Sequence, residues 1–140
     1  TNVYGRNIEN INKNQGFIEN SAFSIMSNET IKLFGDISNE RDYIYIDDFV
    51  KGVLQLILKA NLNSIFNVGS GHLCGLNDLI EKMSQIFKKK VNVSILNERD
   101  FDKKSIKINV NSFKELITFK TLDIDQGLNL YLSKITDTKD

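Results

Sequence analysis

The sequence predicts an α/β fold with parallel strand pairing. Short apolar runs of strand length alternate along the chain with segments whose apolar residues recur every three to four positions. The chain has 140 residues and is 41% hydrophobic, which is enough for one domain with a core of its own. No internal repeat or low-complexity linker divides it, so residues 1–140 are read as a single region.

The elements follow in order. Thr1–Tyr4 reads as the end of a strand and is followed by a polar, Asn-rich loop at Ile8–Asn14. Gly16–Asn28 carries Ile18, Ala22, Ile25 and Met26 at helical spacing. Ile31–Phe34 is a short apolar run closed by the turn signal Gly35-Asp36, and Tyr43–Ile46 is another extended segment. Asp47 or Asp48 is placed to cap a helix whose apolar face is Val50, Val53, Leu54 and Ile57. Ser64–Val68 is the next predicted strand. A helix over Leu76–Phe87 follows, with Leu76, Leu79, Ile80, Met83 and Phe87 on one side. Val91–Leu96 alternates as a strand should, and Ser105–Val110 is a further candidate. Short helices near Asn111–Ile117 and Asp123–Ser133 close the chain, with Thr121 as N-cap of the last. These helices are more apolar than so few strands can cover, which points to a missing neighbour.

Bulk chemistry narrows the function. Eighteen basic and eighteen acidic residues give a net charge of zero, removing the electrostatic case for nucleic acid or an anionic membrane. Lys88–Lys90 is the one basic run, and three lysines at a helix end complement its dipole. No apolar stretch approaches the ~20 residues of a membrane span, and no signal-peptide pattern is present. One cysteine, Cys74, and one histidine, His72, cannot assemble a zinc site or an internal disulfide. Both residues are read as structural, no metal is expected, and the cytoplasm is the expected compartment.

The stretch Ile65–Leu79, IFNVGSGHLCGLNDL, invites comparison with a dinucleotide loop. There, glycines allow a tight turn, close approach of a pyrophosphate and close helix–strand packing. Gly69, Gly71 and Gly75 are spaced one residue longer than that fingerprint, with Glu98 near the position of a ribose-binding acid. Too little chain follows Gly75 to complete the second half of a cofactor sheet. The alternative is a plain strand-to-helix turn, with Gly75 as N-cap and Asp78 in the first helical turn.

Three segments taken together carry a more specific signal. TNVYG at 1–5, FGDISNERDYIYIDD at 34–48 and IFNVGSG at 65–71 resemble successive motifs of the nucleotide-sugar epimerases and dehydratases. These belong to the extended short-chain dehydrogenase/reductase family, of which UDP-glucose 4-epimerase is representative. TLDIDQGL at 121–128 is similar to the family's final helix. The resemblance implies a Rossmann-type fold, of which this chain would be the C-terminal, substrate-binding part, with the first half of the cofactor domain missing. The family's Gly-x-x-Gly-x-x-Gly loop and Tyr-x-x-x-Lys pair are absent here: none of Tyr4, Tyr43, Tyr45 and Tyr131 has a lysine four residues on. The parent protein would use NAD or NADP, whereas this fragment is expected to bind neither and to contain no catalytic residue.

By the same resemblance, Arg41 and Arg99 would grip the substrate diphosphate, for which fixed bidentate guanidinium groups are suited. Asn2 would bond the same diphosphate. Asp102 would meet the nucleotide ribose, with Asp100 its rival because the R-D-F-D segment lacks the family's Pro and Gly. Lys32–Phe34 would line the base pocket with Phe34 as its apolar face, and Gln15 is a weaker candidate there. Arg6 stands where the family places proline. The implied partners are a nucleotide-diphosphate sugar, the missing N-terminal cofactor domain and a second copy in a homo-oligomer. The resemblance further implies a place in surface-polysaccharide synthesis. Two other functions stay open: a non-catalytic nucleotide-sugar-binding or regulatory module, and a compact dinucleotide-binding protein built on the Gly69–Gly71–Gly75 loop.

Overall fold

The computed structural model describes residues 1–5, 16–61, 63–97 and 105–137. Its elements run β1 (Asn2–Tyr4), α1 (Phe17–Met26), β2 (Ile31–Phe34), β3 (Glu40–Tyr45), α2 (Ile46–Lys59) and β4 (Leu73–Gly75). They continue as α3 (Leu76–Phe87), β5 (Val93–Leu96), α4 (Asn111–Leu116) and α5 (Ile124–Asp137). Strands β1, β3 and β4 form one sheet, and β2 and β5 a second. β1 lies parallel to β3, with Asn2 opposite Tyr43 and Tyr4 opposite Tyr45. β2 lies parallel to β5, so parallel pairing is present in both sheets, as the alternating pattern predicts.

Helical periodicity decides what is buried. On α1, Ile18, Ala22 and Ile25 form a buried stripe, and on α3 Leu79, Ile80 and Met83 do the same. These stripes meet β2, β3 and the inner face of α5, where Leu128, Tyr131, Leu132 and Ile135 complete one core. Tyr4 sits at its centre, edge-on to Tyr45 and Tyr131 with ring centroids 5.7 and 6.5 Å away. Burial pushes the Tyr4 phenol well above the ordinary tyrosine range. Gly52 lets α2 lie directly on α4, since a methyl there would fall 2.5 Å from the Phe113 ring.

Several expectations need correction. Ser64–Val68 is not a strand; no neighbouring strand among the described residues offers it a ladder, and Ile65 is 96% exposed. Strand pairing forms just beyond it, where β4 runs antiparallel to β3 across Glu40–Asp42. Ser105–Val110 contributes only one bridge, from Ser105 to Glu40. Neither Asp47 nor Asp48 caps α2: its N-cap is Tyr45, and both acids lie in the first helical turn. Asp48 instead accepts the Leu122 amide at 2.7 Å, tying α2 to the approach to α5.

The cap of α5 is Asp123, not Thr121. Asp123 Oδ1 accepts the Gln126 amide at 2.8 Å while Gln126 Oε1 accepts the Asp123 amide at 3.2 Å, a reciprocal capping box. The basic run stands at the end of α3 as expected and also reaches beyond it. Lys88 forms the left-handed end of α3. Lys89 Nζ reaches α1, donating to the carbonyls of Ile25 and Met26 at 3.3 and 3.1 Å.

The missing-neighbour expectation divides between two helices. α1 buries Ile18, Ala22 and Ile25 within the chain and leaves Phe17, Phe23 and Met26 half-buried. α2 leaves Val50, Leu54, Ile57 and Leu58 exposed, the last two at 72% and 82%.

Candidate functional site

Strand alternation sets up the site. In β3, Asp42 turns inward while Arg41 and Tyr43 line a cleft of about 830 Å³, a size typical of small-molecule sites. α1 forms one wall with Phe17, Asn20, Ser21 and Phe23. β2 forms another along Ile31–Phe34, and Asn2, Asn39 and Leu76 complete the lining. Alternation in β2 buries Ile31 and Leu33 and leaves Lys32 and Phe34 facing out.

Three of the five site residues expected from sequence, Asn2, Phe34 and Arg41, therefore share one cleft. Arg41 is half-buried and its Nη1 donates to the Glu40 carbonyl at 2.8 Å. Asn2 Nδ2 donates to the Asp42 carbonyl at 3.2 Å. Arg99 and Asp102 lie outside the described residues, as do Arg6, Gln15 and Asp100. Burial raises the Tyr43 phenol well above its ordinary range, so this cleft hydroxyl is a neutral hydrogen-bonding group at physiological pH.

Sequence reasoning missed the polar part of the α1 wall. Ser21 is 1% exposed and sits on the same stripe as Ile18, Ala22 and Ile25. Its Oγ and the Oδ1 of Asn20 are buried with no hydrogen-bond partner among the described residues. The available signal was a hydroxyl at a position where helical periodicity calls for an apolar side chain.

The glycine loop does hold an anion, and that anion belongs to the protein. Asp42 is 3% exposed. Its Oδ1 accepts the Ser70 amide at 2.9 Å, the Ser70 hydroxyl at 3.0 Å and the Thr1 hydroxyl at 2.9 Å. Its Oδ2 accepts the Gly71 amide at 2.7 Å. Gly71 has φ 80°, the left-handed conformation the turn requires. A methyl on Gly69 would fall 3.0 Å from Asp42 Oδ2. The amides a pyrophosphate would need are thus already in use, and this loop does not fit an NAD pyrophosphate.

No group of three or more His, Cys, Asp and Glu residues suited to a metal occurs among the described residues. A Tyr–Lys hydrogen bond does occur, from Lys134 Nζ to Tyr45 Oη at 3.1 Å, and it raises the Lys134 ammonium pKa. It joins α5 to β3 and neither residue lines the cleft.

Comparison with known proteins gives this geometry its relatives. Residues 1–69 match the NAD dependent epimerase/dehydratase family. The chain is 28% identical over 136 residues to dTDP-4-dehydro-6-deoxyglucose reductase of Escherichia coli, covering 96% of this chain and 43% of that protein. It is 31% identical over 106 residues to UDP-glucuronate 4-epimerase of Thermodesulfobacterium geofontis, covering 74% of this chain and 32% of the relative. Among solved structures, UDP-glucose 4-epimerase of Thermotoga maritima with UDP-glucose superimposes with a TM-score of 0.87 at 24% identity. That superposition covers 99% of this chain and 45% of the other. dTDP-glucose 4,6-dehydratase of Bacillus anthracis in complex with NAD gives 0.84 at 16% identity, covering 99% and 43%. These superpositions establish the fold, and the chain spans less than half the length of each relative. No helix among the described residues is long and apolar enough to cross a membrane. Residues 1–69, just under half of the chain, match the NAD dependent epimerase/dehydratase family, and the chain shares the fold of part of the length of solved epimerases and dehydratases.

Proposed function

We propose that this chain is the nucleotide-sugar-binding part of a cytoplasmic NAD(P)-dependent sugar epimerase or dehydratase, catalytically silent by itself. The observation that carries the proposal is the shared cleft, in which Arg41 stands with Asn2 and with Phe34 from the other sheet. A permanently charged guanidinium beside an aromatic face suits a diphosphate joined to a planar base. The Thermotoga relative was solved with UDP-glucose, and UDP is accordingly the preferred nucleotide over dTDP. Arg99 completes the diphosphate grip, and Asp102 meets the ribose. The remainder of the longer protein supplies NAD or NADP, the acid/base pair and cover for the exposed face of α2. The parent reaction transfers a hydride from a sugar carbon to the nicotinamide and returns it.

Calorimetric titration of the chain with UDP, dTDP and NAD tests this. UDP binding that Arg41→Ala and Arg99→Ala each weaken about tenfold, the effect of losing a charge-assisted contact, is the expected result, with no NAD binding. NAD binding that ignores both arginines would overturn it.

A further inference from the structure

Asp42 stands where the glycine loop and the cleft meet. It lies on β3 between Arg41 and Tyr43, which line the cleft, while its own carboxylate is buried on the opposite face. The ladder between β1 and β3 starts at the pair Asn2–Tyr43, so Arg41 and Asp42 lie beyond its end. There the Thr1 hydroxyl shares its proton between the Asp42 carbonyl at 3.1 Å and Oδ1 at 2.9 Å, and Asn2 Nδ2 donates to the same carbonyl at 3.2 Å. On the other side Arg41 pairs with Cys74 of β4. The loop entering β4 closes on the Asp42 carboxylate through the Ser70 and Gly71 amides at 2.9 and 2.7 Å, and the Ser70 hydroxyl adds a bond at 3.0 Å.

These bonds bear on the cleft because its two expected diphosphate contacts sit on different strands. Asn2 belongs to β1 and Arg41 to β3, and the side-chain bonds that join the strands at this level run through Asp42. An amide and a guanidinium held in place before a ligand arrives lose less freedom when it binds. Charge supplies a second argument. A carboxylate one residue from Arg41 weakens the attraction of the cleft for an anion. Asp42 therefore serves an anion site only if its hydrogen bonds return more than its charge takes away.

We infer that Asp42 is a positioning residue for the anion grip: clamped by the glycine loop, it fixes Asn2 and Arg41 in the relative placement that lets both reach one diphosphate. This inference rests on the diphosphate reading above, and Asp42 itself touches no ligand.

Calorimetric titration of the whole chain with inorganic pyrophosphate, at a temperature where circular dichroism shows each variant folded, tests it. Asp42→Asn removes the negative charge and sets an NH2 group against a loop amide. Charge alone predicts tighter binding, whereas lost positioning predicts binding about two- to tenfold weaker, the cost of ordering one side chain. Ser70→Ala changes no charge and should weaken binding in the same direction. In an Arg41→Ala background both substitutions should have much smaller effects, since there is no guanidinium left to position; a purely structural role would give additive effects. Binding that Arg41→Ala weakens but that Asp42→Asn and Ser70→Ala leave unchanged or tighten would overturn the positioning role and leave the grip standing. Pyrophosphate binding that is absent, or indifferent to Arg41→Ala, would defeat the grip and this inference together. If Asp42→Asn does not fold, Ser70→Ala decides alone.

Discussion

Asp42 accepts hydrogen bonds from Thr1, Ser70 and Gly71, so one carboxylate joins three distant stretches of chain. Removing it would leave several buried donors without partners. Asp42→Ala should lower unfolding stability by more than about 3 kcal/mol in urea titration, the sum of two or more orphaned groups. Cys74 makes a second prediction. Burial pushes its thiol from an ordinary value near 9 up to about 11, so at pH 8 its thiolate fraction is roughly 100-fold below that of a free cysteine. Ellman's reagent should therefore react much faster in urea than with the folded chain. The sign for stability follows: the folded thiol holds its proton more tightly than the unfolded one. That contribution is intact below pH 9 and is lost as pH rises from 9 through 11. At this scale sequence was partly legible. That Arg41, Asn2 and Phe34 share one cleft could be anticipated because they sit in ordered motifs. Asp42 was hidden because a charged residue beside arginine gives no sign of facing inward, and Ser21 because one hydroxyl hardly disturbs a helical pattern.

The elements were legible wherever periodicity was strong. Leu76–Phe87 forms a helix with the bounds its apolar spacing gives, and Ile31–Phe34 forms a strand as read. Ser64–Val68 was misread because apolar composition alone cannot show whether a partner strand exists to accept its hydrogen bonds. Caps were misread because several Asp and Thr residues near a helix start compete for one position, and only the backbone chooses among them. The lysine run stands at the end of α3 as read, but the reach of Lys89 to α1 was not legible because a long side chain can serve a neighbouring helix as well as its own. Lys89→Met keeps the hydrophobic stem but removes the ammonium bridging the Ile25 and Met26 carbonyls. The last turn of α1 should then exchange amide hydrogens faster, with a loss of about 1 kcal/mol in local stability. Unchanged exchange there would mean that water serves those carbonyls equally well.

For the whole molecule, the apolar excess read from sequence is real and is most pronounced on α2. Leu54, Ile57 and Leu58 stand on its outer side at 54%, 72% and 82% exposure. Such a surface should bind an apolar dye and drive concentration-dependent association in sedimentation. Ile57→Lys with Leu58→Lys should abolish both effects while changing stability by no more than about 0.5 kcal/mol, as expected for exposed helix positions. A dye-silent monomer before mutation would contradict this. The α/β class and its parallel pairing could be read from alternation. The split into two small sheets could not, because it depends on which strands find each other across long intervals.

Those intervals have a kinetic consequence. The hydroxyl of Thr1 meets a carboxylate 41 positions later, β1 pairs with β3, and Lys134 closes onto Tyr45 across 89 positions. Loop closure must precede each of these rewards, so the chain should fold slowly for its length, over milliseconds to seconds. The residues of β1 are then among the last of this chain to find their place.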